Sequence, residues 1–222
     1  VSRQPTPAEK FDLAIFDHDG VLVDSLPFHE ESWLVLGRRE GLPFTKEFVH
    51  ATFGMTNPMI FERLLGPGIP PEQVARYGDI KEACYRDLVR GHLVLMPGVR
   101  DLLDGLTAAG VKLAIGSSGP RENLLLTVRE CGLDSRFSAI VALEDITRGK
   151  PDPQVFLLAA QRAGCDPART VVFEDAPVGI QAAKAAGMTA IGVGTTHPLE
   201  SLTAAGADRV VQTLEGFALD DL

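Results

Sequence analysis

The sequence predicts an α/β fold: a doubly wound parallel sheet with a small all-helical domain inserted after the first strand. Two observations carry that expectation. Short β-branched-rich apolar runs alternate with amphipathic helical segments through most of the chain, the pattern of βαβ units with a sheet covered on both faces. Between the first and second runs, residues 28–95 offer helices separated by Gly and Pro and no convincing strand. That stretch is too long for an ordinary βα loop.

The elements follow in order. The polar segment VSRQPTPAEK lacks the apolar centre of a signal peptide and reads as a tail. The run Phe11–Phe16 (FDLAIF) then meets Asp17 and is the first strand. Helices are expected around His29–Arg39, Thr45–Ala51, Pro58–Leu65 and Pro71–Leu88. Val99, Leu102, Leu103 and Leu106 follow i, i+3, i+4, i+7 spacing and stop at Gly110. Val111–Gly116 (VKLAIG) is the second strand and runs into Ser117 and Ser118. Helices Leu124–Cys131 and Gln154–Ala163 end at Gly132 and Gly164, and Ser138–Ala142 between them is a weaker strand. Thr170–Phe173 (TVVF) meets Glu174 and Asp175, and Pro177 opens a helix closed by Gly187. Thr189–Val193 and Arg209–Val211 complete the strands. The domains expected are a core of residues 1–27 and 96–222 and a helical cap of residues 28–95.

Composition narrows the function. The 222 residues carry a net charge of −9 with Lys and Arg scattered, which argues against nucleic acid and against an anionic membrane. No stretch is apolar enough to span a bilayer. Three cysteines without a CxxC pair suggest buried thiols and a cytoplasmic location. His50, His92 and His197 lack metal-ligand spacing, and Gly149-Lys150 is followed by Pro151 and so is no Walker A motif.

In an open parallel sheet the ligand crevice lies at the carboxyl ends of the strands. There the first strand delivers Asp17 and Asp19, the second Ser117, and the third confident strand Glu174 and Asp175. Lys150 lies in the loop after the fourth candidate strand. Any one of these alone reads as a cap, a turn residue or a solvated charge. Together they put four carboxylates in one crevice, where repulsion and desolvation call for a positive partner. Oxygen ligands of this kind suit Mg²⁺.

The segment Phe16-Asp17-His18-Asp19-Gly20-Val21-Leu22-Val23-Asp24-Ser25 resembles the first motif of the haloacid dehalogenase-like superfamily. Ser117 resembles the second motif, Lys150 within GKPDP the third, and Phe173-Glu174-Asp175 with its following helix the fourth. Within the superfamily the chain is most similar to the β-phosphoglucomutase-like phosphatases. The resemblance implies a phosphatase in which Asp17 attacks phosphorus and forms an aspartyl-phosphate. Asp19 would act as acid and then base, which favours phosphate esters over haloacids because a halide leaves without a proton. Mg²⁺ would sit on Asp17, the Asp19 carbonyl and Asp175, with Glu174 as ligand or neighbour. Ser117 and Lys150 would hold the phosphoryl oxygens, with backbone donors near Gly20 and Ser118.

The resemblance also places His29, Gly54 and Asn57 near substrate. For His29, a substrate or hinge role stands beside simple helix packing. His18 should point away from the metal as a turn residue, and Trp33 should pack within the cap. The sugar phosphomutases carry Lys and Arg where this chain has Phe53 and Asn57, so hydrolysis of a small phosphorylated metabolite is expected over mutase activity, the alternative. Arg63 and Arg121 are the cations in sequence that would replace the pair. A non-catalytic module is the third reading, disfavoured by the intact acidic set. The enzyme is expected to act as a monomer.

Overall fold

The computed structural model describes residues 10–217. Its six strands are β1 (Leu13–Phe16), β2 (Lys112–Gly116), β3 (Ala139–Val141), β4 (Thr170–Glu174), β5 (Thr189–Val193) and β6 (Arg209–Val211). They form one parallel sheet in the order β3-β2-β1-β4-β5-β6. All six strands were expected, with small shifts at their ends. The reading of an N-terminal tail falls mainly on residues 1–9, outside the described residues.

Side-chain alternation in β1 shows why this short run is a central strand. Ala14 and Phe16 join one buried cluster, Leu13 and Ile15 the other, so both faces are apolar as a doubly covered strand requires. The first cluster lies under α5 (Val99–Ala108) and α6 (Arg121–Glu130), through Leu102, Leu103, Leu106 and Leu124. The second lies under α7 (Gln154–Ala163), α8 (Pro177–Ala185) and α9 (Leu199–Ala204). Helix α9 was not foreseen; it has six residues, too few to show a helical period, and buries only Leu202.

Between β1 and β2 come α1 (Leu26–Glu40), α2 (Lys46–Thr52), α3 (Asn57–Leu65) and α4 (Pro71–Val89). They share a third cluster built on Trp33, Leu36, Phe44, Val49, Phe61 and Tyr77. Each buried aromatic or aliphatic side chain there contributes roughly 1.5–3 kcal/mol. The chain leaves and re-enters the core side by side: Val23 bridges Leu95 antiparallel, and Met96 N donates to Leu22 O at 2.9 Å.

Two expectations are corrected. Helix α1 begins at Leu26 and not at His29, so Pro27 belongs to its first turn. Of the three cysteines, which are all free, only Cys131 is buried, while Cys84 and Cys165 are partly exposed. Among the described residues no helix is long and apolar enough to cross a membrane.

Candidate active site

Because β1 lies between β2 and β4, connections leave it in opposite directions and open a crevice at its carboxyl end. Asp17 N continues the ladder by donating to Phe173 O at 3.0 Å. The chain then turns, with Leu22 N donating to His18 O at 3.0 Å. Gly20 makes the turn with φ of 75°. A Cβ there would lie 2.0 Å from Asp175 Oδ2, so only glycine meets both demands.

Asp17 is 3% exposed, and Lys150, Glu174 and Asp175 are buried to 1% or less. Lys150 Nζ lies 3.0 Å from Asp17 Oδ1 and 2.5 Å from Glu174 Oε1. The first contact is ionic without hydrogen-bond geometry, since Asp17 Oδ1 has no hydrogen-bond partner. Asp175 Oδ2 accepts from Thr196 Oγ1, while its Oδ1 is buried and unpartnered. Glu174 spends both oxygens, one on Lys150 and the other accepting from Ala176 N at 2.9 Å. Its carboxylate fills the space where a Cβ on Gly179 would lie, 1.8 Å from Oε1.

Burial raises the Asp17 pKa to about 7; Lys150 opposes the rise, and Glu174 and Asp19 add to it. Burial likewise holds Asp175 well above the usual carboxylate range, reinforced by Glu174 and Asp17. One lysine among three carboxylates leaves the cluster short of positive charge. Oxygens of Asp17, Glu174 and Asp175 lie within 4.8 Å of one another, and two have no partner. This hard, all-oxygen donor set fits a divalent cation of the Mg²⁺ kind.

Asp19 sits at the cavity wall. Its Oδ1 accepts from Ser25 Oγ at 2.6 Å, lies 3.1 Å from His29 Nε2 and 2.9 Å from His18 Nδ1. Burial works to raise its pKa, but the imidazoles of His18 and His29 against it outweigh burial and hold it well below the usual range. Ser25 occupies the N-cap position of α1 yet makes no cap bond; its hydroxyl, which commonly caps a helix, goes to Asp19 instead. His18 turns inward, with Nε2 2.7 Å from Thr127 Oγ1 while Nδ1 faces Asp19.

Ser117 N donates to Val141 O at 3.1 Å and its Oγ accepts from Gly119 N at 3.0 Å. Ser118 Oγ is buried without a partner. Both line the cavity with Asp17 and Asp19, and the helical insert closes it with His29, Phe53, Gly54 and Asn57. Ser118, His29, Gly54 and Asn57, expected near substrate, thus share one cavity with Asp17, Asp19 and Ser117, while Lys150 is buried behind Asp17 and is not part of its lining. Trp33 packs in the insert as expected and also lines the cavity.

Lys81 and Glu82 on α4 were not foreseen. Lys81 Nζ lies 2.6 Å from His29 Nδ1 and donates to Glu82 Oε1 at 2.9 Å. An ammonium has only protons to give, so Nδ1 accepts and the His29 Nε2 proton faces Asp19. Burial lowers the His29 pKa, and the Lys81 charge adds to that. The sequence held one signal: Tyr77, Lys81, Tyr85 and Val89 share a buried stripe of α4, and charges seldom occupy such a stripe without a task. The cations named as substitutes lie elsewhere. Arg121 pairs with Asp145, Arg63 is exposed on α3, and neither lines the cavity.

A parallel sheet that brings carboxylates, serines and a lysine to one crevice defines an α/β enzyme rather than a structural module. The sequence pattern of the haloacid dehalogenase-like hydrolases matches residues 11–187, and the chain belongs to that family. A chloroplastic 5-amino-6-(5-phospho-D-ribitylamino)uracil phosphatase of Arabidopsis thaliana is 35% identical over 94% of this chain, which spans 56% of that protein. A phosphorylated carbohydrates phosphatase of Thermotoga maritima is 31% identical over 92% of this chain and 95% of its own. The β-phosphoglucomutase of Bacillus subtilis is 31% identical over 93% and 91%. A hydrolase from Pseudomonas syringae superposes with a TM-score of 0.84 at 28% identity, covering 91% of this chain and 94% of the other.

Proposed function

We propose that this hydrolase is a Mg²⁺-dependent phosphomonoesterase for small phosphorylated metabolites of the sugar-phosphate kind. The observation that carries the reading is the buried Asp17 in the cavity lining, with an oxygen that has no hydrogen-bond partner 3.0 Å from the Lys150 ammonium. Asp17, Asp175 and the Asp19 carbonyl would hold the cation, with Glu174 beside it. The cation would supply positive charge to the phosphoryl oxygens.

An Asp17 oxygen bonds to phosphorus as the ester P–O bond breaks, which leaves an aspartyl-phosphate. Asp19 gives the departing oxygen its proton. The incoming phosphate is a negative neighbour that works against the ionisation of Asp19 and favours the protonated form this step needs. Asp19, then anionic, takes a proton from the water that releases phosphate. Lys150, Ser117 and the amides near Gly20 and Ser118 meet the equatorial oxygens. Residues 1–27 and 96–222 serve as the catalytic core, and residues 28–95 as a cap that excludes water. A monomer in the cytoplasm is the setting that the composition supports.

A mutase reading draws support from the Bacillus subtilis relative and from Lys81, a cation in the cavity wall. Phosphate release from a panel of phosphomonoesters, with Mg²⁺ and with excess chelator, tests the proposal. Release that depends on Mg²⁺ is expected. Full turnover in chelator would remove the metal, and rapid conversion of β-glucose 1-phosphate to glucose 6-phosphate with little free phosphate would favour the mutase.

A further inference from the structure

Among the described residues, Lys81 is the only lysine or arginine that lines the cavity. Two of its three donor positions are taken, and its charge is paired. Its Nζ contacts His29 Nδ1 at 2.6 Å and Glu82 Oε1 at 2.9 Å, and it lies over the rings of Trp33 and Tyr85 at 5.1 and 5.3 Å. Glu82 is 5% exposed and faces the same cavity. Its Oε1 also accepts from Asn57 Nδ2 at 2.9 Å, and its Oε2 accepts from Asn123 Nδ2 at 2.7 Å. A carboxylate has about four acceptor positions, so these three donors leave one for a substrate.

The geometry points to Glu82 as the residue that selects the leaving group. By holding Lys81, it leaves the insert side of the cavity without net positive charge. The site then takes monophosphates whose leaving group is uncharged and rich in hydroxyls, and rejects those that carry a second phosphate. The inference rests on the phosphomonoesterase reading and gives it a substrate class.

Three physical points support it. Glu82 stays ionised: burial raises its pKa, but Lys81 and His29 outweigh burial and hold it below the usual range. A distal phosphate would meet Glu82 and Asp19 with no cation whose charge is not already paired, and a dianion in a largely desolvated site is costly without one. A hydroxyl would instead find the open acceptor position of Glu82, with the Trp33 and Phe53 side chains beside it in the cavity wall.

The test uses competition against hydrolysis of p-nitrophenyl phosphate with Mg²⁺ present. Inhibition constants are measured for glucose 6-phosphate and glucose 1,6-bisphosphate on the wild type, Glu82→Gln, Lys81→Met/Glu82→Gln and Asn123→Ala. The wild type should bind the bisphosphate more weakly than the monophosphate. Glu82→Gln keeps the shape and frees Lys81, so it should shift the ratio toward the bisphosphate by at least ~10-fold, the scale of one charge-assisted contact. Removing Lys81 as well should cancel the gain. Asn123→Ala breaks the link from α4 to α6 without altering charge and should leave the ratio unchanged.

An unaltered ratio in a folded Glu82→Gln protein, judged by circular dichroism, would overturn the inference. So would a gain that survives loss of Lys81, or an equal gain in Asn123→Ala. Absence of p-nitrophenyl phosphate hydrolysis would count against the phosphatase reading instead; the same ratio is then read as Kd by calorimetry.

Discussion

At the scale of single residues, the site sets three buried carboxylates around one ammonium. Asp17→Asn keeps the side-chain shape and removes the nucleophile. It should lower kcat by roughly 10⁴–10⁶-fold with an unchanged circular dichroism spectrum, as steady-state phosphate release would show; a loss under tenfold would move the nucleophile elsewhere. Lys150→Met should act on stability as well, because it strands Asp17 and Glu174 without a buried cation. A cost of about 3–5 kcal/mol is expected in urea unfolding, and an unshifted midpoint would mean that the ammonium is dispensable to the fold. Asp17, Asp19, Ser117, Lys150, Glu174 and Asp175 were legible because each follows or lies near an apolar run that can only be a strand. Lys81, Glu82 and Asn123 were not. They come from two helices far apart in sequence, α4 and α6, and only packing of the insert against the core brings them together. Lys81 carried the sole local hint, as a charge on the buried stripe of its helix.

At the scale of elements, the strands were readable almost to the residue because an apolar run ends where burial ends. Helix starts were less so. The helix expected at His29 begins directly after Ser25, whose hydroxyl serves Asp19 rather than the helix. Beside the side-chain links from His29 to Asp19 and from Glu82 to Asn123, two contacts between the insert and the core use glycines. A Cβ on Gly54 would come within 2.9 Å of Ala176, and one on Gly149 within 2.8 Å of Thr56. Glycine contacts of this kind can part without freeing interlocked side chains, which suits a lid that opens for substrate. Nitroxide labels at the exposed residues Glu72 and Glu200, in a chain with its cysteines replaced, should report the movement. Addition of Mg²⁺ with vanadate is expected to shorten and narrow the distance distribution. An identical distribution with and without the analogue would argue for a rigid site.

At the scale of the whole molecule, the chain bears a net charge of −9 and gathers part of that charge in a buried cluster. A cation that binds the folded cluster and not the unfolded chain stabilises the fold by mass action. At a hundredfold excess over Kd the gain is about 2.7 kcal/mol, which for a domain of this size raises Tm by roughly 5–10 °C. Scanning calorimetry with Mg²⁺ and with chelator should show that shift, and Asp175→Asn should abolish it. A Tm indifferent to Mg²⁺ in the wild type would separate the acidic cluster from metal binding.

The bridge between Val23 and Leu95 has a consequence for how such an enzyme diversifies. Partners in an antiparallel pair stand about 5 Å apart, so the sheet is blind to the length and sequence of everything spliced between them. A segment held at one doorway can be exchanged whole without disturbing the register of β1 against β2. If residues such as Phe53, Asn57 and Glu82 choose the leaving group, as proposed above, that choice is inherited separately from the chemistry, and new specificities arise by replacing one contiguous piece of the gene.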